Sequence, residues 1–519
     1  MESSDINNSS AIEPQEVTSE AHPQAPDETN KRQRICGCKC SGFRGNPRAR
    51  GLATIGAGRG SLLAANIFIS TSLLYLASEE AGCIDENNQT FDCNTKVYGF
   101  QPSSLITNIA IISGILAAIA NPIIGAIVDY TNYRHMVGFW SCIAIIVIQA
   151  IQIYTVSSTW FPMAILQAVA AFMYQIVITT TYAYFPELSS EVGEKLVQNI
   201  SPKLTMLQFG TQGLFIVVVI AFSMGLSADD VLTAQISQGI NVLFLILTFC
   251  IGWLKFLPKV DAKRVLPEGQ SLWTAGFTQI FHTAKHIHGH YQQSIRWFLI
   301  ALCFAEAGAS AFAVCAISFV NEVLKMTGTE TGMLFLIVLF FVVPGAKLSE
   351  VVVKKTNYNT CWRLNMIYFS IITIVGVWMM VDENDKGSAY LMGIFWGIAL
   401  GWYYATQNGF FAVLVPQEQA TEMAGIYNFA SLIIAWLPPL VFSALNESGI
   451  PLNYALMHLV GYFVIAIGFL SLMPSWDKVL AESHGLGDAS TKSAEGTTYT
   501  TQGDIEPDAA SSDGDLEKQ

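Results

Sequence analysis

Long apolar runs separated by short polar breaks make up most of the chain after Ser61. Each run approaches the roughly 20 apolar residues that an α-helix needs to cross a bilayer core. The predicted spans lie near residues 61–78, 104–128, 136–155, 160–184, 204–225, 234–256, 297–320, 331–352, 362–381, 388–412, 422–445 and 453–473. Six spans lie on each side of a polar segment, so the pattern predicts an all-α membrane protein with 12 transmembrane helices in two six-helix bundles.

The polar stretches divide the chain into five segments. We predict a disordered cytosolic N-terminal tail at 1–58, an N-terminal six-helix bundle at 59–257, a central cytosolic loop at 258–294, a C-terminal six-helix bundle at 295–473 and a disordered acidic cytosolic tail at 474–519. Both tails are polar and lack apolar periodicity, which is typical of disorder. For the histidines between His282 and His290 in the central loop, a solvated amphipathic helix and a regulatory metal or pH-sensing role both stay open.

The turn at Pro122–Arg134 is echoed in a weaker form at Pro344–Arg363. Each segment starts from a proline late in an apolar run, and Thr131-Asn132-Tyr133 recurs as Thr356-Asn357-Tyr358. Repeats of this kind are typical of transporters built from two related halves. We therefore predict that the two bundles are related.

Composition strengthens the membrane assignment. The 519 residues are 52% hydrophobic and only 13% charged, which exceeds the apolar content of an ordinary soluble protein. Much of the net charge of −13 comes from the tail after Ser475, so it says little about the embedded part. We expect the lipid bilayer as a partner and no nucleic acid. The oligomeric state stays open, and a monomer is compatible with the pattern.

The basic residues set the expected orientation, because cytosolic loops carry an excess of Lys and Arg. With both termini in the cytosol, only Lys96, Lys325 and Lys386 of the 27 basic residues fall in lumenal loops. The same arrangement places two Asn-x-Ser/Thr acceptor sequences, at Asn88 and Asn446, in the lumen. We therefore predict cytosolic termini and N-glycosylation of these two asparagines.

The cysteines fall into groups that indicate different compartments. Cys83 and Cys93 bracket the polar loop with the first acceptor sequence, and we predict a disulfide between them in an oxidising lumen. Cys36, Cys38 and Cys40 lie in a basic segment before the first span, where S-palmitoylation and plain reduced thiols both stay open. We expect no metal site and no cofactor.

Catalytic motifs are missing from the sequence. It has no nucleophile elbow, no His-Glu-x-x-His pair and no Gly-rich phosphate loop, so neither an enzyme nor an ATP-driven pump is supported. Transport of a small molecule driven by a gradient is the function that remains.

The turn after the second span carries Gly125, Asp129 and Arg134 in the spacing Gly-x-x-x-Asp followed by a basic residue. This spacing resembles the loop signature of the major facilitator superfamily, and the resemblance implies the major facilitator fold. Gly125 would allow close helix approach. Asp129 at a helix end could accept hydrogen bonds from Arg134 or from a helix N-terminus of the other half, so we predict a latch between the bundles.

Glu422, Gly425 and Tyr427 follow Pro416 just before and within the eleventh span. Together with Phe298–Ala301 at the start of span seven, this pattern resembles the autophagy-related vacuolar amino-acid effluxer branch of the superfamily. The resemblance implies gating roles for the three residues after Pro416. It also implies that amino acids are exported from a vacuole or lysosome-like compartment to the cytosol.

Glu306 is the main candidate for binding the substrate amine or a proton. The resemblance to that branch implies an Asp-Gly pair where this chain has Ala307-Gly308. Glu306 lies one position before the expected Asp, about 100° away around the helix. A carboxylate at membrane depth normally faces a cavity or a partner, although one near a helix end could be satisfied by backbone and water. Other polar residues within spans suit a small zwitterionic or polar solute: Asn66, Gln175, Gln407, Asn408 and Asn428.

Two other functions stay open. One is a facilitator of another metabolite at the plasma membrane, and the other is a non-transporting solute sensor of the same fold. Because only Arg59, Lys347 and Arg363 are basic within or beside spans near the expected cavity, a polyanionic substrate is disfavoured.

Overall fold

The computed structural model describes residues 45–83, 95–185, 187–188, 194–262, 266, 271–289, 293–415 and 420–483. Within these residues the regular structure is helical apart from one antiparallel bridge between Val97 and Phe100. The helices before the central loop are α1 Pro47–Glu80, α2 Leu105–Tyr130, α3 Arg134–Gln152, α4 Trp160–Tyr182, α5 Glu194–Leu226 and α6 Asp230–Leu245. Two π-helical turns, Ile246–Cys250 and Gly252–Phe256, extend α6.

The helices of the central loop and the second half follow in the same order. They are α7 Leu272–Gly289, α8 Gln293–Glu322, α9 Gly328–Lys355, α10 Tyr358–Met379, α11 Lys386–Leu414, α12 Ala420–Leu432, α13 Leu437–Glu447, α14 Leu452–Ser471 and α15 Trp476–Ser483. Helices α12 and α13 form one interrupted span. The interruption at 433–436 directly precedes Pro438 and Pro439, which lack the N–H that a continuous helix needs.

The predicted all-α membrane fold is confirmed. Among the described residues, eleven helical segments are long and apolar enough to cross a membrane. The predicted tenth span also forms a helix, α11, whose 29 residues exceed the length needed to cross a bilayer core. It is absent from those eleven because glycine, tyrosine and amide residues dilute its hydropathy.

Close packing between α9 and α11 explains this glycine content. A Cβ atom at Gly397 or Gly401 would collide with carbonyl oxygens of α9, and one at Gly345 would collide with the Ile398 carbonyl. Small residues spaced by four let two membrane helices bring their backbones together. This pair therefore depends on shape complementarity rather than on hydropathy.

Helix α1 begins earlier than the sequence suggests. We predicted a disordered tail to residue 58 and a span from 61, but the helix starts at Pro47, with the Asn46 side chain accepting a hydrogen bond from the Ala49 amide. Leu52 and Ile55 are buried in a cluster with Trp253 of the extended α6. Interspersed glycines and arginines hide this packed face in a hydropathy profile, so the predicted tail is wrong for residues 47–58.

The ends of the helices form two surfaces at opposite ends of the protein. We call the one with Cys83, Lys96 and Glu447 the Cys83 end, and the one with Asp129 and Tyr184 the Asp129 end. An apolar cluster of α1, α5, α8 and α9 joins the halves, with Phe215 and Ile317 among its members. This contact packs the two bundles against each other.

The Cys83 end is closed by hydrogen bonds between the halves. Glu447 accepts from the Lys96 ammonium at 2.5 Å and from the Gln101 amide at 2.6 Å. Further bonds connect Asn446 to Ser103, Ser443 to Asn108, Asn321 to Thr71, and the Asp230 carboxylate to the Gly328 amide. These hydrogen bonds between the halves all lie at this end.

Two predictions concern the loops of the Cys83 end. Cys83 is disulfide-bonded, and its expected partner Cys93 lies outside the described residues, as do Asn88 and the cysteines at 36, 38 and 40. Glycosylation of Asn446 does not fit this structure. Only 6% of the residue is exposed, and its amide nitrogen donates to Ser103 at 2.7 Å and to Ser104 at 2.8 Å.

Candidate substrate site and gate

Arg134 is fully buried, but its partner differs from the predicted one. Its guanidinium forms an ion pair with Glu187 after α4, donates to the Ala183 carbonyl at 3.3 Å and lies 5.3 Å from the centre of the Tyr184 ring. Asp129 is half-buried and makes no hydrogen bond or ion pair with the described residues. The expected Asp129–Arg134 pair is therefore not formed.

The other predicted gate residues have mixed placements. A Cβ atom at Gly125 or Gly425 would meet nothing within 4 Å, so the close helix approach expected at Gly125 is absent in this conformation. The Glu422 side chain lies outside the described residues. Tyr427 belongs to a hydrogen-bonded group with Gln407 and Asn408, deep in the second half.

Glu306 lies near the middle of α8, at the level of this group. Its carboxylate accepts a hydrogen bond from the Tyr403 hydroxyl at 3.3 Å, and Gln407 and Tyr404 are close neighbours of it. The Gln407 amide donates to the Tyr427 hydroxyl at 2.9 Å. We call Glu306, Tyr403, Tyr404, Gln407 and Tyr427 the carboxylate cluster. The alternative of a carboxylate satisfied only by backbone and water does not describe Glu306.

The N-terminal half contributes a cation at the interface. Arg59 on α1 is 7% exposed, and its guanidinium carbon lies 5.6 Å from the centre of the Tyr174 ring and 5.3 Å from that of the Tyr182 ring. We call these three residues the arginine cluster. Sequence reasoning placed the first span at 61–78 and so passed over Arg59 as a site residue. A single arginine inside a continuous small and apolar run was the signal that could have identified it.

The two clusters face each other across the bundle interface. Tyr174 on α4 lies near Tyr404 on α11, and Tyr182 on α4 lies near Tyr427 on α12, so tyrosines of the two halves are neighbours at the interface. The site therefore combines a carboxylate from one bundle and a guanidinium from the other. Such a pair of opposite charges can orient a small molecule that carries both charges.

The remaining polar candidates contribute unevenly. Asn66 follows Arg59 by seven residues, which places both on the same face of α1, and its buried Oδ1 atom has no hydrogen-bond partner within the described part of the chain. The side chains of Gln175 and Asn428 are half-buried. Asn408 is exposed and accepts a hydrogen bond from Tyr427 at 3.3 Å.

The two bundles with a polar site between them have the architecture of a major facilitator transporter. A structure of a D-xylose–proton symporter matches 83% of this chain and 98% of its own, with a TM-score of 0.56 and 13% identity. A mutant of the nucleoside transporter NupG matches 82% of this chain and all of its own, with a TM-score of 0.55 and 12% identity. The predicted major facilitator fold is thus confirmed.

The family is more specific. The family described as "Vacuole effluxer Atg22 like" matches residues 52–480, so the chain belongs to it. Autophagy-related protein 22 of Kluyveromyces lactis is 22% identical over 201 residues, which are 37% of this chain and 40% of that protein. The Vanderwaltozyma polyspora protein of the same name is 19% identical over 207 residues, covering 38% and 39%. The alignments span about two fifths of these relatives. The protein is a multi-pass membrane protein of this family.

Proposed function

We propose that this transporter exports amino acids from the vacuole to the cytosol by alternating access around the carboxylate and arginine clusters. The observation that supports this most directly is the position of Glu306. A carboxylate at membrane depth is expensive, and here it lies among hydroxyl and amide groups of α11 and α12. It is suited to bind an ammonium group, or a proton that travels with the substrate.

Orientation is part of the proposal. Basic residues are concentrated in the loops of the Asp129 end, which supports a cytosolic position for that end and for both termini. The Cys83 end, with its disulfide-bonded cysteine, then faces the lumen. In this arrangement the structure is closed toward the lumen by the bonds to Glu447 and Asn446, as expected after substrate has entered from that side.

The gate works at the opposite end. Arg134 is held by Glu187 and Tyr184, which fixes the turn between α2 and α3. Asp129 remains available to the N-terminus of α12 when the cytosolic end closes, and α2 and α12 are already in contact. The proposed gate comprises Gly125, Asp129, Arg134, Glu422, Gly425 and Tyr427, with Arg134 positioning the turn instead of pairing with Asp129.

Counterflow in proteoliposomes tests the function. Vesicles loaded with one unlabelled amino acid at a time should accumulate its labelled form transiently, and a pH gradient should change the rate if a proton is coupled. Glu306→Gln should abolish counterflow or make it insensitive to pH, while Glu80→Gln, at an exposed carboxylate at the end of α1, should behave as wild type.

The outcome also separates the other functions. Counterflow of sugars or nucleosides but not amino acids would favour a different metabolite. Binding of an amino acid without any flux, in protein of verified fold, would favour a sensor. Unchanged flux of Glu306→Gln at every pH would remove this carboxylate from the mechanism.

A further inference from the structure

Arg59 is unusual among the buried cations of this protein. Arg134, the other deeply buried arginine, is neutralised by an ion pair with Glu187. Arg59 forms no ion pair within the described part of the chain, and its Nε atom has no hydrogen-bond partner there. Its aromatic contacts are the rings of Tyr174 and Tyr182, whose centres lie 5.6 Å and 5.3 Å from the guanidinium carbon.

Tyrosines stabilise a guanidinium only in part. Their rings attract the cation and their hydroxyls accept hydrogen bonds, but neither group supplies a negative charge. A charged side chain at membrane depth is normally paired or faces a binding site. Arg59 lies twelve residues after the start of α1 and is only 7% exposed, so its guanidinium is shielded from solvent by the surrounding helices. The arginine cluster thus holds a planar cation ready for an anionic group.

The charges expected on the ligand follow from the residues that lie across the interface from the arginine cluster. Across the interface, Tyr404 and Tyr427 approach the arginine cluster, and both belong with Glu306 to the carboxylate cluster. The Asn66 amide oxygen, on the same face of α1 as Arg59, is a further acceptor without a partner in the described residues. A ligand that contacts both clusters at once needs an anionic group on one side and a cationic group on the other.

We infer that Arg59, with Tyr174 and Tyr182, binds the carboxylate of the substrate, while Glu306 binds its ammonium group. This assignment rests on the proposed function and makes it more specific. The substrate must be a zwitterion with both groups free. Amines that lack the carboxylate, and amino-acid amides that retain only the ammonium group, should bind poorly, because the guanidinium would be left without its anion.

Matched ligands test the inference on the purified full-length protein. Phenylalanine, phenylalanine amide and phenethylamine differ only at the carboxylate, and alanine, alanine amide and ethylamine form a second series with a small side chain. Thermal stabilisation of the protein measures binding without requiring transport. Competition for counterflow in proteoliposomes provides a second readout.

The wild-type protein should prefer the free amino acid of a series over its amide and amine by about tenfold or more, since the lost contact is a charge-assisted hydrogen bond. Arg59→Gln should abolish that preference, and Arg59→Lys should retain part of it. Tyr182→Phe should weaken the preference without changing the fold. Arg363→Gln, at a half-buried arginine on α10 that donates to Ser471, is the matched control and should keep the full preference.

The results distinguish this inference from the proposed function. If wild type binds the amide or the amine as well as the free amino acid, or if Arg59→Gln keeps the preference, the carboxylate subsite is refuted while amino-acid transport stands. If no amino acid supports counterflow, the proposed function fails together with the subsite. Should Arg59→Gln fail to fold, the graded responses of Arg59→Lys and Tyr182→Phe decide the question.

Discussion

The contact between Glu447 and the first half makes a quantitative prediction about the closed Cys83 end. The Glu447 carboxylate accepts from the Lys96 ammonium at 2.5 Å and from the Gln101 backbone amide at 2.6 Å. Glu447→Ala removes both contacts and leaves the rest of the helix intact. We expect the mutation to favour molecules in which this end is open.

The magnitude follows from the two contacts. The Lys96 side chain is 49% exposed, so the ion pair is screened and contributes about 0–1 kcal/mol. The backbone amide donates to a charged acceptor that is 23% exposed, so this contact contributes about 1.5 kcal/mol, the low end of the range for hydrogen bonds to charged groups. A combined loss of about 2 kcal/mol raises the ratio of open to closed molecules about 30-fold. Glu447→Gln can still accept from Gln101 and should have a smaller effect.

Distances between spin labels at Ser158→Cys and Glu383→Cys measure this ratio. Both positions are exposed at the Cys83 end, one in each half, and the free cysteines of the spans would first be replaced. Glu79→Ala is the matched control, because Glu79 accepts a hydrogen bond from Ser157 within the same half at 2.8 Å. If the ratio of open to closed molecules for Glu447→Ala stays within about twofold of the ratio for Glu79→Ala, the bonds to Glu447 do not hold this end closed.

Three further predictions concern other parts of the molecule. Asp129→Asn should lower the fraction of molecules closed at the Asp129 end, measured as greater reactivity of cavity cysteines from that side; unchanged reactivity would argue against a latch. Gly401→Ala should destabilise the protein by about 1–3 kcal/mol and lower its melting temperature, because the added Cβ collides with a carbonyl of α9. Gly468→Ala is the control and should not lower the melting temperature, because its added Cβ meets nothing within 4 Å. Asn88→Gln should remove a glycan detectable by gel mobility, whereas Asn446→Gln should cause no shift, and the opposite pattern would contradict the burial of Asn446.

Hydropathy predicted the fold well because membrane spans leave a strong local signal. A helix in lipid must satisfy its own backbone and present apolar side chains over about 20 residues, so the sequence alone indicates where it lies. The hydropathy signal was weakest where other helices, rather than lipid, cover the residues. Helix α11 carries Gly397 and Gly401 because its backbone touches α9, and the first turns of α1 are buried by Trp253 rather than by lipid.

The site was predicted only in part. Glu306, Gln407 and Tyr427 were named from polarity and resemblance, and they meet in one hydrogen-bonded group. Arg59 was not named as a site residue, because its tyrosine partners come from a different helix more than a hundred positions away along the chain. Local patterns contain no information about such a contact.

The turn between α2 and α3 shows the same division. The sequence by itself determined that a charged, tight connection ends an apolar span here, and the pattern of spans along the chain determined a two-bundle membrane protein. Only the tertiary structure decided that Arg134 pairs with Glu187 rather than with Asp129, since its guanidinium contacts Glu187 and the Ala183 carbonyl after α4 and, at the end of α2, reaches the Val128 carbonyl instead of the Asp129 carboxylate. A membrane span is specified by the apolar side chains that contact with lipid requires, and these are visible in the local sequence. Partners on different helices depend on how the bundle packs.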